Sequence, residues 1–131
     1  MKKTKNIFIL IERTIFPYDI LFSVGATDKE IFEYIEKNKK YKLSDKEKEC
    51  LELGGCGKTT QLQTGHIVIR VRKEKTEIGF DLSVLVHEIS HAVFLVMDRL
   101  GVTHTDSSDE VYAYYQAFIH GEIMKIVQKK K

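Results

Sequence analysis

One stretch constrains this 131-residue chain more than any other: a largely apolar segment over residues 81–100, interrupted by His87-Glu88-Ile89-Ser90-His91. The segment is far longer than an ordinary strand, so a helix is the expected form. At about 100° per residue, Leu82, Leu85, Ile89, Val93, Val96 and Leu100 fall on one stripe. Asp81 is placed to cap its start, and Gly101 supplies its stop. His87 and His91 lie almost opposite the stripe, with Val84, Phe94 and Leu95 around them. The expectation is a central helix that is apolar nearly all round. Histidines buried in such surroundings need hydrogen-bond partners or a metal ion.

Positions i and i+4 share one helix face, so His87 and His91 can offer two imidazole nitrogens to a single ion. Glu88 points off to one side, where a carboxylate can take a proton from a water activated by that ion. Two zinc ligands and a general base on one turn of helix are the physical content of H-E-x-x-H.

A catalytic zinc ion needs three protein ligands and one open position. The elongated motif, with glycine three and histidine six residues after His91, is excluded because Phe94 and Met97 occupy those positions. His104, Asp106, Asp109 and Glu110 remain. Glu110 is the preferred third ligand, and His104 is the alternative. Asp109-Glu110-Val111-Tyr112-Ala113-Tyr114-Tyr115 opens a second amphipathic helix, expected to run to about residue 125. From His91 to the end of its helix the chain rises about 14 Å. The connection over residues 101–108 can span up to about 26 Å, enough to bring Glu110 back to the level of the histidines. Ala113, Ala117 and Gly121 form a small-residue stripe that would let the two helices approach closely. Ser107 and Glu110 also have capping-box spacing, which gives Glu110 a purely local rival role. Asp109 or Asp106 is expected to orient a ligand histidine. His120 is set aside, being on another face about 15 Å further along.

The rest of the chain reads as an α+β domain. Residues 6–12 and 18–24 are expected strands, joined across Pro17. Thr27 and Glu30 form a capping box for a helix over residues 28–39, with Lys37, Lys39 and Lys40 at its C-terminal end. Ser44 and Glu47 mark a short helix over residues 45–52. Residues 54–60, Gly-Gly-Cys-Gly-Lys-Thr-Thr, resemble a phosphate-binding loop. The required first glycine is Glu52, however, and no helix is expected to follow, so a glycine-rich turn is the reading. Residues 66–72 alternate as a strand, with His66, Val68, Arg70 and Arg72 on one face. Arg70 and Arg72 there hint weakly at an acidic substrate. The expected architecture is a small, mainly antiparallel sheet packed on the His-bearing helix and the helix that follows it.

Composition narrows the classes. The hydrophobic share of 43% and charged share of 31% suit a single globular domain over residues 1–131. A net charge of +2 is too small to imply a nucleic-acid partner, and lysines at both ends (Lys2, Lys3, Lys5 and Lys129 to Lys131) are expected to be solvated. The apolar run over residues 7–11 is too short for a signal peptide or a membrane span. Cys50 and Cys56 provide neither a disulfide framework nor a structural zinc site, which fits a reducing, cytoplasmic setting.

His87-Glu88-x-x-His91 followed by Glu110 on the next helix resembles the gluzincin branch of the zincin-like metallopeptidases. The stretch from His87 to Tyr115, with Asp109-Glu110-x-x-Ala113-Tyr114, is most similar to small metallopeptidases of bacterial phages and mobile elements. The resemblance implies a minimal zincin-like fold, zinc held by His87, His91 and Glu110, and Glu88 as general base. It also implies a peptide or protein substrate and a strand beside the cleft, matched to residues 66–72, along which an extended peptide pairs. An oxyanion-stabilising residue is not singled out among His104, Tyr112 and Tyr114. A zinc-containing binding or regulatory protein with little turnover is the alternative, and oligomeric state is left open.

Overall fold

Alternating β-branched and aromatic residues pair where their periodicity allows. Ile7–Ile11 (β1) runs antiparallel to Ile20–Val24 (β2), and β2 lies parallel to Ile67–Val71 (β4). On the far side of β4 is an antiparallel strand, Gly57–Gln61 (β3), giving the order β1-β2-β4-β3. Four helices complete the chain: α1 (Asp28–Asn38), α2 (Asp45–Leu51), α3 (Leu82–Arg99) and α4 (Asp109–Lys129). This computed structural model describes residues 6–12, 15–38 and 41–129. Lys2, Lys3, Lys5, Lys39, Lys40, Lys130 and Lys131, whose placement was anticipated above, lie outside them. The class is α+β, with two of the three strand pairs antiparallel. Among the described residues no helix is long and apolar enough to cross a membrane.

The local signals act as anticipated. Thr27 and Glu30 exchange side chain-to-backbone hydrogen bonds at the start of α1, and Ser44 and Glu47 do the same for α2. Asp81 accepts from the Ser83 backbone N–H at the start of α3. Gly101 follows α3 at φ +77°, a conformation that favours glycine.

Both faces of the sheet are covered. On one face Ile20, Phe22, Ile67 and Ile69 pack on Leu85, Ile89 and Val96 of α3 and on Tyr115 and Ile119 of α4. On the other, Leu21 and Val68 meet Ile31, Ile35, Leu43 and Leu51 of the α1–α2 layer. This second layer was not anticipated. It makes β2 and β4 buried along their whole length, and each fully buried large apolar side chain contributes about 1.5–3 kcal/mol.

Three expectations are corrected by this layering. Residues 54–60 are not simply a turn, because Gly57–Gln61 is an edge strand. Residues 66–72 offer no free edge along which an extended peptide could pair, because β4 is paired on both sides. Arg70 does not face solvent. It is 2% exposed, and its guanidinium donates to Asp28 Oδ1 (2.6 Å) and to the Leu51 and Ala26 carbonyls (2.7 Å each). One cation thus ties β4 to the start of α1 and to a carbonyl that α2 leaves without a helical partner. It is not available to an acidic substrate. Arg72 is exposed and paired with Glu74.

The hydrogen bond from Arg70 holds the Asp28 carboxyl below the usual carboxylate range, with partial burial pushing the other way. Because the folded-state pKa is depressed, the stabilisation is complete above the unfolded value and fades as pH falls below about 4. Asp28→Asn should lower stability at pH 7 by about 2 kcal/mol, less than for a fully enclosed pair because Asp28 is partly in water. Urea midpoints measured from pH 7 to pH 3 should show a smaller acid loss in the variant than in the parent.

Candidate metal centre

Helix α3 turns one side to the sheet and α4, and the opposite side to solvent. Leu85, Ile89, Ala92, Val93, Val96 and Met97 are buried, whereas Val86 and Phe94 are more than two-fifths exposed. His87 and His91 lie on the exposed side. The expectation of a helix buried all round is therefore corrected: its second apolar flank is open, and the histidine rings are reachable.

The two rings converge. Their Nε2 atoms are 3.1 Å apart, with ring centres 4.7 Å apart and planes inclined at 77°. Two nitrogens bound to one tetrahedral zinc at about 2.0–2.1 Å stand about 3.3 Å apart. The pair is thus close to the spacing that a shared ion requires, without a buried wall to force it there.

Glu88, one residue on, is turned about 100° round the helix towards β3 and is only 6% exposed. Thr59 Oγ1 lies 2.7 Å from Glu88 Oε1 and 2.9 Å from the Glu88 carbonyl oxygen. Oε2 takes no hydrogen bond from the described residues. Among them Ser23 Oγ is the one buried, partnerless side-chain N or O atom, so Oε2 must reach solvent. His87 and Glu88 share a shallow hollow of about 380 Å³ with Cys56, Gly57, Ser83 and Val84.

The remaining candidates are placed apart. Helix α4 returns along α3 in the opposite sense: Tyr112 meets Phe94 (5.1 Å between ring centres), while Ala113, Ala117 and His120 share a groove with Val86 and Ile89. Glu110, in the first turn of α4, is exposed and makes no hydrogen bond or ion pair among the described residues, so the anticipated capping role is not taken. Ala113 and Ala117 are exposed and line a trough between α4 and α3 with Val86 and Ile89. His104 Nε2 is 2.9 Å from Asp109 Oδ1, and its ring contacts Tyr112 and Phe94. Asp109 thus orients His104, not one of the motif histidines, and Asp106 is exposed. The Tyr112 hydroxyl donates to the Val102 carbonyl (2.7 Å), and Tyr114 is 69% exposed. Among the described residues, no three His, Cys, Asp or Glu side chains stand together as a metal-binding group. The structure converges His87 on His91 and sets Glu88 in the same hollow as His87.

Two residues at the site escaped sequence reading: Gly57 and Thr59. They alternate on the face of β3 that touches α3. A Cβ on Gly57 would sit 2.7 Å from Val84 Cγ1, 3.0 Å from Glu88 Cγ and 3.1 Å from Glu88 Oε2. Only the paired β-branched residues Thr59 and Thr60 signalled a strand here.

Compared with protein-family models, curated proteins and solved structures, the chain matches none of them.

Gly57→Ala should force strand and helix apart and lower stability by about 1–3 kcal/mol. Gly55→Ala, where a Cβ meets nothing within 4 Å, should stay close to the parent in the same urea unfolding series.

Proposed function

We propose that this protein is a zinc-dependent metallopeptidase that cleaves a peptide bond in an extended peptide. The observation supporting it most directly is the convergence of His87 Nε2 and His91 Nε2 to 3.1 Å, beside a hollow that His87 shares with Glu88. His87, His91 and Glu110 would hold the ion, with Glu110 supplied by the first turn of α4. This ligand set and the Glu88 role follow the resemblance to gluzincin-type zincins. When bound, zinc supplies a Lewis acid that acidifies water and polarises a carbonyl oxygen.

The chain's own residues carry the proton. Glu88 Oε2 is the free oxygen of a carboxylate whose other oxygen already accepts from Thr59. It takes the proton of the attacking water and returns it to the leaving amine. The outer edge of β3, which pairs only with β4 among the described strands, borders the same hollow through Gly57. Its unpaired N–H and C=O groups can align an extended peptide by strand addition. This role belongs to β3, not to residues 66–72.

The alternative is a zinc-containing binding or regulatory protein with little turnover, which would use the same histidine pair. The two readings separate experimentally. Calorimetric titration should show one zinc ion per chain. His87→Ala and His91→Ala should each weaken zinc affinity by more than the 10–100-fold typical of outer partners, as should Glu110→Gln. If Glu110→Gln binds normally while His104→Ala does not, His104 is the third ligand. Absence of zinc binding by the parent overturns both readings. With zinc bound, Glu88→Gln should reduce cleavage of an unfolded protein, followed by mass spectrometry, by at least about 100-fold while leaving affinity unchanged. Zinc binding without cleavage by the parent assigns the binding reading.

A further inference from the structure

We propose that Thr59 is the positioning residue for Glu88: its hydroxyl holds the carboxylate so that Oε2, and not Oε1, is presented to the hollow beside His87. This rests on the peptidase reading and deepens it by identifying what aims the general base.

Strand β3 is short, polar and at the sheet edge, yet it lies against α3 at the motif itself. Its helix-facing residues are Gly57, Thr59 and Gln61. Gly57 gives up its side chain where Glu88 Cγ and Oε2 pass, within 3.1 Å of where a Cβ would stand. Gln61 Nε2 reaches the Leu95 carbonyl at 3.4 Å. Between them, Thr59 Oγ1 lies within hydrogen-bond distance of two oxygens of the same residue, Oε1 at 2.7 Å and the carbonyl at 2.9 Å. A hydroxyl has one proton to give. The shorter contact is to the carboxylate, where charge strengthens it, and the carbonyl of a mid-helix residue already accepts within the helix. The hydroxyl therefore donates to Oε1 and holds the end of a three-torsion side chain against β3.

Thr60, next in sequence, shows the contrast. It faces the other side of the sheet and donates to the Cys50 carbonyl. A threonine kept only for its strand preference would be replaced by valine without loss, since the two have nearly the same shape and both suit a strand. A threonine kept for its hydroxyl would not. Misplacement of a reacting group by about 1 Å can lower a rate by as much as 100-fold, which sets the scale of the expected effect.

The test uses the full chain loaded with zinc and a fluorescence-quenched, unfolded casein as substrate. Thr59→Val should bind zinc like the parent but lose about 10–100-fold in kcat at unchanged KM. Thr59→Ser, which restores the hydroxyl, should recover most of that loss. A second readout does not depend on turnover: the side-chain carboxyl carbon resonance of Glu88, assigned by its disappearance in Glu88→Gln and read at one fixed pH. It should move in Thr59→Val and return in Thr59→Ser. Parental kcat in Thr59→Val, a change confined to KM, or an unmoved Glu88 resonance overturns the proposal. If Thr59→Val does not fold, Thr59→Ala takes its place under the same criteria. If the zinc-loaded parent cleaves nothing, it is the peptidase reading that fails, and the resonance alone then decides whether Thr59 positions Glu88.

Discussion

The crossing of β3 over α3 governs the geometry around the histidine pair. Gly57 and Thr59 approach so closely that Glu88 is held between strand and helix, 6% exposed and bonded to the Thr59 hydroxyl at 2.7 Å. Helix α3 cannot roll about its axis without breaking that seat. Its orientation in turn decides what the next residues do: with Glu88 turned to the strand and Ile89 to the core, His87 and His91 must point outwards. The exposure of the pair is thus a consequence of packing elsewhere on the same helix.

The crossing is itself supported from behind. Strand β4 carries β3 on one side and β2 on the other, and it is held to the α1–α2 layer by the buried guanidinium of Arg70. A buried cation is a risk to a fold unless its hydrogen bonds are met. Arg70 meets this with one carboxylate and two backbone carbonyls, all within 2.7 Å. The opposite register position, Ser23, has a buried hydroxyl with no hydrogen-bond partner among the described residues. The sheet therefore separates two tasks. Its α1–α2 face is anchored by a polar lock within an apolar layer, and its α3–α4 face sets the helix that carries the candidate ligands.

Legibility differed between these parts for identifiable reasons. The helices were readable because caps and stops act within a few residues: Thr27 with Glu30, Ser44 with Glu47, Asp81 before α3 and Gly101 after it. Strands β1 and β2 were readable from runs of β-branched and aromatic residues, and β4 from its alternation. Strand β3 was not, because its partners on α3 are a carboxylate, a valine side chain and a backbone carbonyl, which call for Gly57, Thr59 and Gln61 and leave no hydrophobic period. Arg70 was misread for the reverse reason. An arginine in alternation looks solvent-facing, and only the second helical layer makes its face an interior.

The sequence by itself determined the positions of the four helices, three of the four strands and the pairing of His87 with His91 on one helical face. All of these follow from contacts or periodicities within a turn or two of chain. Only the tertiary structure decided that the pair is exposed, that Glu88 is seated on β3, and that His104 meets Asp109, Phe94 and Tyr112. Those outcomes depend on groups far apart in the chain, 29 residues between Thr59 and Glu88 and 42 between Asp28 and Arg70. No local preference of either partner specifies such a meeting; it is set by which faces of the helices and sheet must be buried together.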